Sequence, residues 1–205
     1  MIEVRDLSLT IKGKQLLNKI DMVAKSGEIT GLVGPNGSGK TLIMKCICGF
    51  FSSYEGEIVL DGKPATEEER KNIGAIIETP GFIPYYSGYK NLKILAQINK
   101  KCSKQDIYDS MNTVGLDPSD RRPIRKYSLG MRQRLGVAQT LMEDPAILIM
   151  DEPFNGLDAE MTEKLRNRLN EEANKGKTII LSSHNPIDIE MLCNQTYYIQ
   201  KGSIK

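Results

Sequence analysis

The stretch Gly34-Pro35-Asn36-Gly37-Ser38-Gly39-Lys40-Thr41 constrains what this chain can fold into more than any other part of it. Its glycines let the backbone curl until successive N–H groups converge on one point. Glu28-Ile29-Thr30-Gly31-Leu32-Val33 runs into this turn as a strand, and Thr41 to Phe50 follows as a buried helix. A strand, a glycine-rich turn and a helix in that order form a cradle for phosphate oxygens, with the positive end of the helix dipole aimed at the same anion. The pattern is G-x-x-x-x-G-K-[ST]: Lys40 reaches the β- and γ-phosphates and the Thr41 hydroxyl ligates magnesium. By background composition, a chance match occurs in about one chain of this length in a hundred. The competing reading is a glycine-rich turn with an incidental lysine.

The rest of the chain supplies the frame such a turn requires. Glu57–Leu60 reads as a strand closed by the tight turn Asp61-Gly62, and Ile73–Ile77 as another. Ala146–Met150 and Thr178–Leu181 have the continuous apolar character of central parallel strands. From about Asn91 to Glu143 the pattern is helical, with breaks near Gly115-Leu116-Asp117-Pro118 and Arg121-Arg122-Pro123. Between Asp158 and Ala173, Met161, Leu165, Leu169 and Ala173 recur at steps of four, one apolar stripe on a charged helix. Strands alternating with helices predict an α/β fold with a mostly parallel sheet.

Composition removes several classes of function. With 28 Lys+Arg against 26 Asp+Glu, the net charge of +2 leaves no basic stripe for nucleic acid. Cys46, Cys48, Cys102 and Cys193 form no C-x-x-C pair, and one histidine cannot complete a zinc site, so reduced thiols in a cytosolic protein fit best. The amino terminus alternates like a strand rather than reading as a signal peptide, and no apolar run approaches about 18 residues, so any membrane pore has to come from another chain.

Ala146–Met150 ends in Asp151-Glu152. A buried strand ending in a carboxylate puts it at the sheet edge where ligands bind, outside the carboxyl ends of parallel strands. There Asp151 holds magnesium through water, and Glu152 orients or deprotonates the attacking water. Further upstream, Tyr127-Ser128-Leu129-Gly130-Met131-Arg132-Gln133-Arg134 stands 23 residues before Asp151, counted from Ser128. Read structurally, Ser128 caps an amphipathic helix.

That segment also resembles the L-S-G-G-Q signature of ATP-binding-cassette (ABC) nucleotide-binding domains, and its spacing before Asp151 fits that family. The resemblance extends through Asn155-Gly156-Leu157-Asp158, similar to the family's D-loop, and His184, similar to its switch histidine, and covers the chain from Ile2 to about Ile204. It implies a P-loop NTPase: a RecA-like core at about 1–83 and 141–205, an antiparallel β segment near the amino terminus, and a helical subdomain at about 84–140, all in one domain over 1–205. It implies ATP and Mg2+ as ligands, with Gly34, Pro35, Asn36, Gly37, Ser38, Gly39, Lys40, Thr41, Leu42, Glu78, Ser128, Gly130 and Asp158 on the nucleotide. Glu152, His184 and Lys40 are catalytic, and Thr41, Asp151 and Glu78 meet the metal. It also implies a head-to-tail homodimer in which Ser128 and Gly130 bind the γ-phosphate held by the other copy. Transmembrane permease subunits lie on separate chains, and this chain sits in the cytoplasm on the inner face of the membrane.

Three departures refine the resemblance. Leu129 and Met131-Arg132 replace the signature's usual Gly and Gly-Gln. Where the family has a glutamine, this chain has Glu78-Thr79-Pro80-Gly81-Phe82, which with Gly88-Tyr89-Lys90-Asn91-Leu92 is similar to ABC subunits that export lantibiotic or bacitracin-type peptides. The position that stacks on adenine holds Ile11, so apolar contact replaces stacking. Phe82, Tyr85, Tyr86 and Tyr89 form either a small satellite core or a socket for a membrane subunit. Two other readings stay open: a soluble, non-transport ABC ATPase of the iron–sulfur assembly type, and a nucleotide-gated regulatory module.

Overall fold

The computed structural model describes residues 1–78 and 81–205, with nothing said of the Asn99 side chain. In chain order the elements are β1 (Ile2–Ile11), β2 (Lys14–Ala24), β3 (Ile29–Val33), α1 (Lys40–Ile47), β4 (Glu55–Leu60), β5 (Lys63–Pro64), α2 (Glu67–Arg70) and β6 (Ile73–Ile76). There follow α3 (Gly88–Asn99), α4 (Lys104–Thr113), a 3-10 turn (Ile124–Lys126), α5 (Leu129–Leu141), β7 (Ile147–Met150), α6 (Ala159–Asn174), β8 (Thr178–Ser182), α7 (Pro186–Leu192), β9 (Gln195–Gln200) and β10 (Ser203–Ile204).

The strands form two sheets. One is antiparallel, in the order β2-β1-β4-β5; the other runs β10-β9-β3-β8-β7-β6. In the second, β9, β3, β8, β7 and β6 are parallel, and β10 turns back antiparallel on β9. The predicted α/β architecture, its mostly parallel sheet and the antiparallel β segment near the amino terminus are all present.

Side chains alternate across the parallel sheet as the two-residue period requires. Ile147, Ile149 and Ile180 face one cluster, shared with α1 and the antiparallel sheet; Leu148, Met150, Ile179 and Leu181 face the other, shared with α5 and α6. Burial on both faces explains why β7 and β8 read as unbroken apolar runs rather than alternating ones. Helix α1 is thus held between two sheets by Ile43, Met44, Cys46 and Ile47, all with no exposed surface. Burying a side chain of that size stabilises the fold by about 1.5–3 kcal/mol. Within this layer burial pushes the Cys46 thiol up to about 11 and Cys48 to about 12, so both behave as apolar packing.

Local chemistry sets the helix ends. The stripe Met161, Leu165, Leu169 and Ala173 is buried as its spacing predicts, and Asp158 caps α6 by accepting the Met161 N–H over 2.8 Å. Two expectations shift. The helix after the glycine-rich turn ends at Ile47, not Phe50, because Gly49 and Phe50 donate back to Cys46 and Lys45 in a Schellman pair. Phe50 is left 68% exposed rather than buried. The helical stretch expected from Asn91 starts earlier, at Gly88, because the Ser87 hydroxyl accepts the Lys90 N–H. Asn91 instead ties the preceding loop by bonding the Ile83 N–H and the Ile83 and Ser87 carbonyls.

Candidate nucleotide site

Three adjacent strands deliver the chemistry to one edge. β3 pairs with β8 and β8 with β7, so that Leu181 lies beside both Gly31 and Met150. The glycine-rich loop leaves β3, Asp151-Glu152 leaves β7, and Ser182 ends β8, followed by Ser183-His184. Parallel pairing therefore puts these three carboxyl ends side by side.

The loop is shaped as its sequence predicts. Gly39 takes φ +119 at the cap of α1, a conformation closed to residues with a side chain. No side chain caps that end of the helix, so its first N–H groups face the cleft free for an anion. The Lys40 ammonium curls back along the loop, donating to the carbonyls of Gly34 over 2.7 Å and Pro35 over 3.3 Å.

Asp151 is 8% exposed, and each of its oxygens is engaged. Thr41 Oγ1 donates to Oδ2 over 2.7 Å, and Ser182 Oγ donates to Oδ1 over 2.6 Å. The same Ser182 oxygen accepts the Glu152 N–H over 3.0 Å. Glu152 sits at φ +51, in the left-handed region that costs a residue with a side chain roughly 1–2 kcal/mol. Its carboxylate turns to His184: the His184 N–H donates to Oε2 over 3.2 Å, and Nε2 lies 3.2 Å from Oε1. Burial pushes the Glu152 carboxyl above the usual glutamate range, with His184 and Lys40 pulling the other way and Asp151 adding to the rise. Its place beside the phosphate loop, with a proton affinity raised by burial, is the arrangement a general base requires.

These groups line a cleft of about 420 Å³, bounded by Asn36, Gly37, Ser38, Gly39, Lys40, Thr41, Leu42, Asp151, Glu152, Asn155 and His184. The donor set suits magnesium: a hydroxyl and a carboxylate oxygen lie within 2.7 Å of one another, hard ligands that leave the remaining positions to phosphate and water.

Other expected residues lie elsewhere. Glu78 is exposed and bonded to Lys45 over 2.7 Å, and it does not line this cleft. Thr79 and Pro80 of the same segment lie outside the described residues. Ser128 caps α5 by accepting the Met131 N–H over 3.1 Å, as its structural reading expects, and Ser128 and Gly130 also lie outside the cleft lining. Asp158 serves as the cap of α6. Ile11 is half-buried against the cluster around α1. Among the aromatics, Phe82 and Tyr89 pack on the core, with Tyr89 edge-on to Tyr108 at 5.4 Å, whereas Tyr85 is 72% exposed.

Sequence reasoning gave no role to Ser182 or Gln133, and it gave Asn155 only a place in the D-loop-like segment, not in the cleft lining. Ser182 carried a readable signal, since a hydroxyl at the end of a buried strand beside a carboxylate pair has one obvious use. Gln133, which donates to the Glu152 carbonyl over 3.1 Å, had none.

The model of the ABC transporter family matches residues 17–155. The chain belongs to the ABC transporter family. It is an ATP-binding subunit and, as in that family, an ATPase. It is similar to the uncharacterized ABC transporter ATP-binding protein YdbJ of Bacillus subtilis (strain 168), 39% identical over 209 residues, covering all of this chain and 68% of that one. The lantibiotic transport ATP-binding protein SrtF of Streptococcus pyogenes is 36% identical over 204 residues, covering all of this chain and 89% of its own length. A solved ATP-binding subunit of an ABC transporter superposes with a TM-score of 0.90 at 27% identity, over all of this chain and 88% of that one.

Proposed function

We propose that this chain binds Mg-ATP in the cleft under the glycine-rich loop and that Glu152 deprotonates the attacking water. The observation that carries this reading is the carboxylate of Glu152, which accepts the His184 N–H at one oxygen and has the imidazole 3.2 Å from the other, in a cleft lined by the phosphate loop. Lys40 and the free N–H groups at the start of α1 neutralise the β- and γ-phosphates, and His184 contacts the γ-phosphate while steadying the base. Thr41 and Asp151 would hold magnesium, with Glu78, now paired with Lys45, as a further ligand. Magnesium there would supply charge neutralisation to the phosphate.

Ser128 is exposed at the start of α5, a helix end able to face an anion from outside. A homodimer therefore completes each site with Ser128 and Gly130 of the other copy, while Asp158 braces the loop between them. The helical part at about 84–140 moves against the rest as ATP closes the dimer and hydrolysis opens it.

Membrane subunits are the partners this motion serves. Between β6 and α3 lies a second cavity of about 280 Å³ lined by Phe50, Ile76, Phe82 and Ile83. With Phe50 of its lining 68% exposed, the cavity suits an apolar helix end of a permease and supports a position on the cytoplasmic face of the membrane. Among the described residues no helix is long and apolar enough to cross a membrane. Likeness to a lantibiotic transport protein and the Glu78 segment support peptide export.

The deciding experiment is Glu152→Gln in the purified chain. Phosphate release from Mg-ATP falls at least about 100-fold while ATP binding persists, as expected for loss of a general base. Turnover at the parent rate would remove Glu152 from that role.

A further inference from the structure

Gln133 lies at the second turn of α5, half-buried, with its Nε2 donating to the carbonyl oxygen of Glu152 over 3.1 Å. On the other side of the same residue, the Glu152 N–H donates to Ser182 Oγ. Both peptide groups of Glu152 are therefore held by side chains, one from the end of β8 and one from α5, and the carbonyl also accepts the Asn155 N–H over 3.2 Å. Such a grip matters because Glu152 is in the left-handed region at φ +51, a conformation that persists only where its surroundings over-determine it. That backbone turn aims the carboxylate at His184.

The start of α5 is seated on the loop that follows Glu152. A side chain added at Gly130 would lie 2.3 Å from the Gly156 carbonyl oxygen, so α5 and the 155–158 loop are in backbone contact. One helix thus carries Ser128 and Gly130 at its tip and, one turn further along, the side chain that holds the base of its own chain.

We propose that Gln133 is a positioning residue that ties the orientation of Glu152 to the seat of α5. Contact of Ser128 and Gly130 with the γ-phosphate in the neighbouring site then sets the base in this chain's own site. The inference rests on the assignment of Glu152 as the base and of Ser128 and Gly130 as the contact to a second copy.

Three variants of the purified chain test it, with steady-state phosphate release as the readout. Gln133→Glu is isosteric but cannot donate to the carbonyl: kcat falls on the order of 10- to 100-fold, as for a misplaced catalytic group, while KM for ATP stays within about twofold. Gln133→Leu behaves alike. Gln133→Lys restores a donor and recovers most of kcat. Parent turnover in Gln133→Glu overturns the proposal, as does a loss in which KM rises in step and Gln133→Lys recovers nothing, which marks a merely structural role. An active Glu152→Gln chain overturns the assignment of the base itself, and this inference with it. An unaffected Gln133→Glu beside an inactive Glu152→Gln overturns this inference alone.

Discussion

Glu152 and His184 meet twice, through the backbone N–H on Oε2 and through Nε2 at 3.2 Å from Oε1. A single residue just past the end of β8 therefore steadies the direction of the carboxylate and opposes the rise in proton affinity that burial causes.

That pairing gives the pH profile a sign. Burial raises the Glu152 carboxyl and His184 lowers it, so the acid limb of kcat lies above the ordinary glutamate value of about 4.3. His184→Ala removes the imidazole's share of the lowering influence and leaves the backbone N–H bond in place. Its acid limb moves to higher pH, and kcat drops on the order of 100-fold. A pH–rate series on both proteins measures the shift; an unmoved limb would show that the imidazole does not act on Glu152.

Ser182→Ala tests the brace between the two carboxylates. The hydroxyl donates to Asp151 and accepts from the Glu152 N–H, so its loss loosens both and leaves a half-buried donor without a partner. Removing such an outer partner costs about 10- to 100-fold in metal affinity or activity. Titrating Mg2+ against ATPase rate separates the two effects, and a variant matching the parent in both refutes the brace.

Gly130→Ala forces the new methyl within 2.3 Å of the Gly156 carbonyl oxygen. Either α5 or the loop carrying Asn155 must shift, and Asn155 lines the cleft. The expected result is a stability loss of about 1–3 kcal/mol together with reduced ATPase activity. Thermal melting and phosphate release measure the two parts; retention of both shows that the contact yields freely.

Far from the cleft, Lys177 bridges Asp144 and the fully buried Glu172, which also meets Arg168 over 2.7 Å and Lys175 over 2.9 Å. Burial pushes the Glu172 carboxyl up, but these cations outweigh it, and both it and Asp144 lie below the usual carboxylate range. Depressed carboxyls contribute stability above their unfolded values and lose it as pH falls through the folded ones, on the acid side of about pH 4. Lys177→Met leaves Glu172 short of a partner and costs about 3 kcal/mol at neutral pH, with a shallower acid loss, in urea denaturation. A variant of parental stability shows that Arg168 and Lys175 suffice.

Much of this was readable because local chemistry and tertiary structure agree. The loop at 34–41 needs its glycines for the same reason a reader notices them, and the α6 stripe is buried as its spacing demands. Asp151 was legible as a polar end on an apolar strand. The illegible parts are contacts between elements distant in sequence. Glu78 bonded to Lys45 and Gln133 on the Glu152 carbonyl depend on how α1 and α5 sit, which no periodicity encodes. Phe50 was misplaced because its apolar character says nothing of the two backbone bonds that end the helix before it.

Among the described residues β6 is an outermost strand of the parallel sheet, paired with β7, whereas β3, β8 and β7 lie inside it. Glu78 therefore leaves the sheet from its border rather than from among the three strands that carry the reactive groups. A substitution at Glu78 is thus expected to act through that one side chain and to leave the strands beneath the reactive groups in register.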